Sequence, residues 1–133
     1  MRALLVVTGL GQIALAIASL WLPRVLGWRA QTAALQPLTR RVFWVYAAYI
    51  LGTNLCLGSL SAFAPALLLD RSPLARTVAA YATAYWGVRL LIQFVWFRGV
   101  APQGTFYRTA DLLVTLGFLL WTCCYGAILL DAW

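Results

Sequence analysis

The stretch Tyr81-Ala-Thr-Ala-Tyr85-Trp-Gly-Val-Arg89-Leu-Leu-Ile-Gln93 fixes how the chain folds and where its chemistry sits. Tyr81, Tyr85, Arg89 and Gln93 recur at four-residue steps in an otherwise apolar run, so on a helix they share one face. An arginine at the centre of a membrane helix costs about 2.5–3.5 kcal/mol on insertion scales, and such residues turn toward a bundle interior, a water-filled cavity or a partner. This face is therefore the first candidate site.

The composition says that the solvent is lipid. Of 133 residues 64% are hydrophobic, and the mean hydropathy is +0.86, whereas roughly half the residues of a soluble domain are apolar. All charge comes from ten arginines and three aspartates, for a net +7, with no Lys, Glu or His. Without His or Glu the chain has no ordinary general base, no His-held haem and no credible zinc or di-iron site. No catalytic residue, metal ligand or cofactor is assigned. The arginines are scattered between apolar runs, which argues against nucleic acid and for anionic membrane lipids as partners. Cys56, Cys123 and Cys124 all lie in apolar runs and are expected to be packing residues, since an odd set of this kind forms no disulfide framework.

Working outward, the spacing predicts an all-α fold: a four-transmembrane-helix bundle in one domain, 1–133, with spans near 3–22, 42–64, 74–97 and 110–130. The first run resembles a signal peptide at its start but is long enough to cross the hydrocarbon, and it reads as an uncleaved span. In it Gly9, Gly11, Ala14 and Ala18 allow close helix contact, and Gln12 is expected to hydrogen-bond to a neighbouring helix. The connection from Arg24 to Arg41 is too apolar for a free loop and predicts a short amphipathic segment in the headgroup layer, broken at Pro37.

The order Thr8-Gly-Leu, Leu22-Pro-Arg-Val-Leu-Gly-Trp28 and Arg41-Val-Phe-Trp-Val-Tyr46, leading into a long apolar helix, resembles small four-helix bacterial membrane proteins of the DoxX-like kind. That resemblance implies the four-helix architecture and carries over no functional residue.

In the second span Tyr46, Tyr49, Thr53 and Asn54 form a polar stripe, while Gly58 and Ala62 form a small-residue notch. Asp70-Arg-Ser-Pro73 reads as a tight connection with Ser72 as N-cap and Pro73 at the first helical position, making spans two and three antiparallel neighbours. The third span carries a second face of small residues, Ala75, Ala79, Thr83 and Gly87, opposite the arginine stripe. Protein on both sides is the expectation, placing this span at the centre of the bundle or at a homo-oligomer contact. Thr109 reads as the N-cap of the fourth span, with Asp111 complementing the helix dipole. Thr115, Phe118, Thr122 and Tyr125 follow Asp111 on one stripe.

The first and third connections hold Arg24, Arg29, Arg40, Arg41, Arg98 and Arg108, against Arg2, Arg71 and Arg76 at the opposite end. This bias predicts a multi-pass protein of the cell inner (cytoplasmic) membrane with both termini outside. Three arrangements would accommodate Arg89: an ion pair with Asp111, bonds to carbonyls, tyrosine and Asn54, or a ligand that completes its five-donor fork. The polar core Tyr49, Asn54, Tyr85, Arg89, Gln93 and Asp111 thus predicts a small non-enzymatic membrane protein. It would hold a lipid-like or quinone-like molecule, or dock to a larger membrane complex as an accessory subunit. The alternative is an oligomeric anion transporter or channel with Arg89 as its selectivity charge. An enzyme has too few titratable groups to draw on.

Overall fold

Proline and glycine set where the helices begin. The computed structural model describes residues 1–97, 99, 100 and 102–131, the side chain of residue 131 excepted. Among the described residues seven helices follow one another: α1 (Arg2–Ser19), α2 (Leu22–Val25), α3 (Trp28–Ala33), α4 (Pro37–Phe63), α5 (Pro65–Leu68), α6 (Pro73–Val95) and α7 (Thr105–Asp131). Four stretches, Arg2–Val25, Pro37–Phe63, Pro73–Val95 and Thr105–Leu130, are long and apolar enough to cross a membrane, as the all-α four-helix reading requires. Arg98, counted above toward orientation, and the terminal Ala132-Trp133 lie outside the described residues.

Local chemistry explains most boundaries and corrects two of them. Ser72 caps α6 as expected: its Oγ accepts the Ala75 N–H at 3.0 Å, with Pro73 opening the helix. Just before it, Asp70 Oδ1 accepts the Ser72 N–H at 2.8 Å, and the two hydrogen bonds with Ser72 hold the Asp70 carboxyl below its ordinary pKa. Pro37, however, opens α4 rather than breaking the connection, so the second span starts there and not at Val42. A first-turn N–H has no helical partner, which makes proline harmless at that position. The connection is two short helices, α2 and α3, joined at Gly27, whose φ of +64° suits a residue without Cβ. Likewise α7 starts at Thr105, so Thr109 is not its cap. The Thr109 hydroxyl donates to the Thr105 carbonyl at 2.9 Å, and Asp111 falls beyond the first turn.

The spans associate as two tight pairs, α1 with α4 and α6 with α7, and α1 and α7 join the pairs. Lipid offers no hydrophobic drive for helix association, so close approach of backbones matters most. At Gly9 an added Cβ would lie 2.4 Å from the Ala62 nitrogen and 2.5 Å from the Gly58 carbonyl oxygen, so α1 and α4 touch backbone to backbone at the expected notch. The small face of α6 seats against α7, with Gly87 facing Thr122 and Gly126 facing Thr83. The expectation that the third span occupies the centre is corrected: α1 and α7 carry the joint. The polar face of α6 turns instead toward α4, and those two spans meet lightly.

Burial is weighted toward one end of the bundle. Buried span residues lie between Leu5 and Ala16 on α1, Asn54 and Ala62 on α4, Ala75 and Trp86 on α6, and Phe118 and Ile128 on α7. These stretches run from the end that holds the chain termini to about the middle of the spans, with Ala16 and Trp86 just beyond it. There Trp86, Phe118 and Trp121 form an aromatic core, with ring centroids 4.5 Å apart for Trp86–Trp121 and 5.4 Å for Trp86–Phe118. Nearer the arginine-rich end, at positions 17–25, 37–53, 87–95 and 105–117, no residue of the spans is buried, and in the first connection only Thr32 is. The cysteines divide in a way the sequence did not anticipate: Cys124 is buried, while Cys56 and Cys123 face outward.

Candidate functional site

Two polar arrangements lie within the spans, and they differ in kind. The first is closed. Gln12 Nε2 donates to the Tyr125 hydroxyl at 2.8 Å, and that hydroxyl is also hydrogen-bonded to Ser61 Oγ, so one phenol ties α1, α4 and α7 together. All three side chains are completely buried. Gln12 was legible as an interhelical residue, and Tyr125 as part of a stripe. Ser61 was missed, because Ser59 and Ser61, two residues apart, share no helix face and carry no periodic signal.

The second arrangement begins at the α4–α6 seam with Tyr85 and Asn54, and the other residues singled out on α6 run on from it toward α7. Tyr85 donates to Asn54 Oδ1 at 2.8 Å, making the hydrogen bond between these two spans. Tyr81 stacks on Tyr85 with ring centroids 6.0 Å apart, and Tyr85 meets Trp86 edge-on at 5.0 Å. This cluster marks the lower limit of the sealed core.

Arg89 comes one turn further on, at the start of the loosely packed half. It is half-buried rather than enclosed, which corrects the picture of a buried arginine. Its guanidinium carbon lies 5.2 Å from the ring centroid of Phe97 and 5.2 Å from that of Phe118. Asp111 does not pair with it. That carboxylate is exposed and accepts a hydrogen bond from Gln93 Nε2 instead. The reason is reach: helix side chains lean back toward their own N-terminus, and from α6 this draws Arg89 toward Tyr85 and away from Asp111. Among the described residues, no carboxylate and no hydrogen-bond acceptor is paired with the Arg89 guanidinium. The aromatic faces offset part of the cost, each cation–π contact contributing about 0.5–2 kcal/mol, but they satisfy none of its five N–H donors.

The six expected polar-core residues therefore do not converge on one pocket. Asn54 and Tyr85 pair, Gln93 and Asp111 pair, Arg89 stands between two phenylalanines, and Tyr49 is exposed across the seam. Tyr49 does line a groove of about 550 Å³ with Gly52, Thr53 and Cys56 of α4 and Tyr81 of α6. This volume is within the range of small-molecule sites. Thr53 turns its hydroxyl back to the Tyr49 carbonyl at 2.9 Å, leaving its methyl group to the groove. A smaller cavity of about 190 Å³ lies at the termini end between Leu68, Arg71, Arg76 and Ile128. No family model, curated protein sequence or solved structure matches the chain.

Proposed function

We propose that this small polytopic membrane protein is a non-enzymatic binding protein. Its Arg89 donates to an acceptor-bearing, lipid-like or quinone-like molecule at the α4–α6 seam, which it holds or presents to a larger membrane complex as an accessory subunit. One observation carries the reading: a half-buried guanidinium within a span, flanked by Phe97 and Phe118, with no acceptor among the described residues. A planar five-donor fork in low dielectric is stabilised strongly by an oxygen acceptor, above all an anionic one. The DoxX-like resemblance adds only an architecture to this proposal.

The test compares the protein with Arg89→Leu. Lipids and quinones extracted with each purified protein are identified, and anion flux is measured in proteoliposomes. The expected result is one acceptor-bearing lipid or quinone enriched with the parent protein and depleted with the variant, without flux. Arg89-dependent anion flux would establish the transport reading in its place. If neither extraction nor flux depends on Arg89, the residue is structural and the proposal fails.

A further inference from the structure

Resting on that reading, we infer that the occupant is an acidic phospholipid taken sideways from the leaflet at the arginine-rich end. One acyl chain lies in the Tyr49–Cys56 groove, and its phosphate lies between Arg89 and the arginine rim.

The length of the groove fits a chain. Its α4 wall runs from Val45 to Leu57, about 18 Å at the helical rise, close to the roughly 15 Å of hydrocarbon in one leaflet. Its wall is predominantly apolar. Tyr81 lines it from α6, and Gly52 opens onto it with no neighbouring group within 4 Å of where its Cβ would be. The seam is also where α4 and α6 meet lightly, so a chain enters from the bilayer without separating a packed helix pair.

Charge selects the headgroup. Arg40 and Arg41 on α4 and Arg108 on α7 are exposed at the same end of the bundle, and Arg24 and Arg29 lie in the adjoining connection. The described acidic group at that end is Asp111, already engaged by Gln93. Arg89 lies five residues past the middle of α6 toward this rim, about 7.5 Å at the helical rise. Its position is below the headgroup layer, within reach of the phosphate–glycerol region of a lipid drawn into the seam. A neutral quinone carbonyl would accept hydrogen bonds at a single oxygen and leave the charge uncompensated. A phosphate accepts the bidentate fork and neutralises it.

Lipid retention is read by native mass spectrometry after reconstitution into vesicles of equal phosphatidylglycerol and phosphatidylcholine. Parent protein, Arg89→Gln and Gly52→Trp are compared, with excess inorganic phosphate as a competitor. Gly52→Trp fills the groove from an open position, so it tests the chain site without disturbing the core. The expected result is selective retention of phosphatidylglycerol by the parent, with each variant reducing it about tenfold or more, Gly52→Trp by displacing the chain and Arg89→Gln by removing the charge-assisted fork to the phosphate. Phosphate is expected not to displace it, because the chain anchors the lipid. Displacement by phosphate, or equal retention of both lipids, would overturn the inference. Retention of phosphatidylglycerol unchanged by Gly52→Trp would overturn the groove. A co-purified quinone lost in Arg89→Gln and kept in Gly52→Trp would overturn the inference while sparing the binding role. Retention indifferent to Arg89→Gln would overturn both.

Discussion

The two halves of this bundle solve the same problem of polar groups in lipid in opposite ways. Toward the termini, Gln12, Ser61 and Tyr125 are completely buried and bonded to one another. Toward the arginine-rich end, Arg89 is half-buried, rests on aromatic faces and has no acceptor among the described residues. A neutral network holds helices together at modest energy, whereas an uncompensated guanidinium is a cost until something binds. The comparison teaches that the polar groups that hold helices together are spatially separated from the cation to which binding is assigned by the proposal. The Tyr85–Asn54 bond marks the border between them.

The sharpest break between the halves should come from glycine. Gly9→Val places side-chain atoms against the Ala62 and Gly58 backbone, which cannot yield as a flexible side chain would. The loss should be about 3 kcal/mol or more, at the upper end of overpacking effects, seen as failure to recover folded protein in detergent. Gly52→Ala, in the open seam, should be stabilising by up to about 1 kcal/mol through helix propensity alone, measured as a higher unfolding temperature. Equal effects at the two glycines would show that the halves are packed alike.

Next in size is the closed network. Tyr125→Phe leaves Gln12 and Ser61 without their shared partner, which should cost about 1–2 kcal/mol given two lost bonds in a buried site. Steric-trap or denaturant unfolding in micelles measures this, and a double cycle with Gln12→Leu should show coupling between the positions. Tyr85→Phe at the border should cost only about 0.6 kcal/mol, the average for a hydrogen bond between membrane helices, and should raise labelling of Cys56 by a bilayer-permeant thiol reagent.

The smallest effect concerns the loop before α6. The folded pKa of Asp70 is depressed, so its contribution is present above the unfolded value of about 3.9 and fades as pH falls through the lower folded value. Amide exchange at Ser72 and Ala75 should accelerate, relative to the intrinsic rate, only in strongly acid solution. Asp70→Asn should remove that dependence.

Much of the architecture was legible in the sequence, and the reason is physical. Four apolar runs of membrane length admit one secondary structure, since lipid leaves no other way to satisfy backbone groups. Ser72-Pro73 marked a helix start by capping chemistry, and Gly9, Gly58 and Ala62 marked a close contact by their size. What a single chain does not encode in its periodicity is which face meets which. Asp111 was the obvious partner for Arg89 by charge, yet side-chain lean gave it to Gln93. The candidate stripe was real as a helix face, but the six polar-core residues expected around it divided among two pairs, a groove and a cation with no acceptor among the described residues. The uneven packing between the halves was legible only in part. The arginines of one end and the small residues of the other hint at it, but which helices lock as pairs depends on contacts such as that of Gly9 with Ala62 and Gly58, and on Tyr125.

The central claim is that Arg89 serves binding rather than cohesion. The native mass spectrum of Arg89→Leu, recorded beside the parent protein from the same membranes, tests it most directly. The account predicts a compact, low charge-state protein as abundant as the parent, stripped of the lipid adduct that the parent carries. A variant that keeps the adduct, or that appears only as an unfolded, high charge-state species, would contradict it.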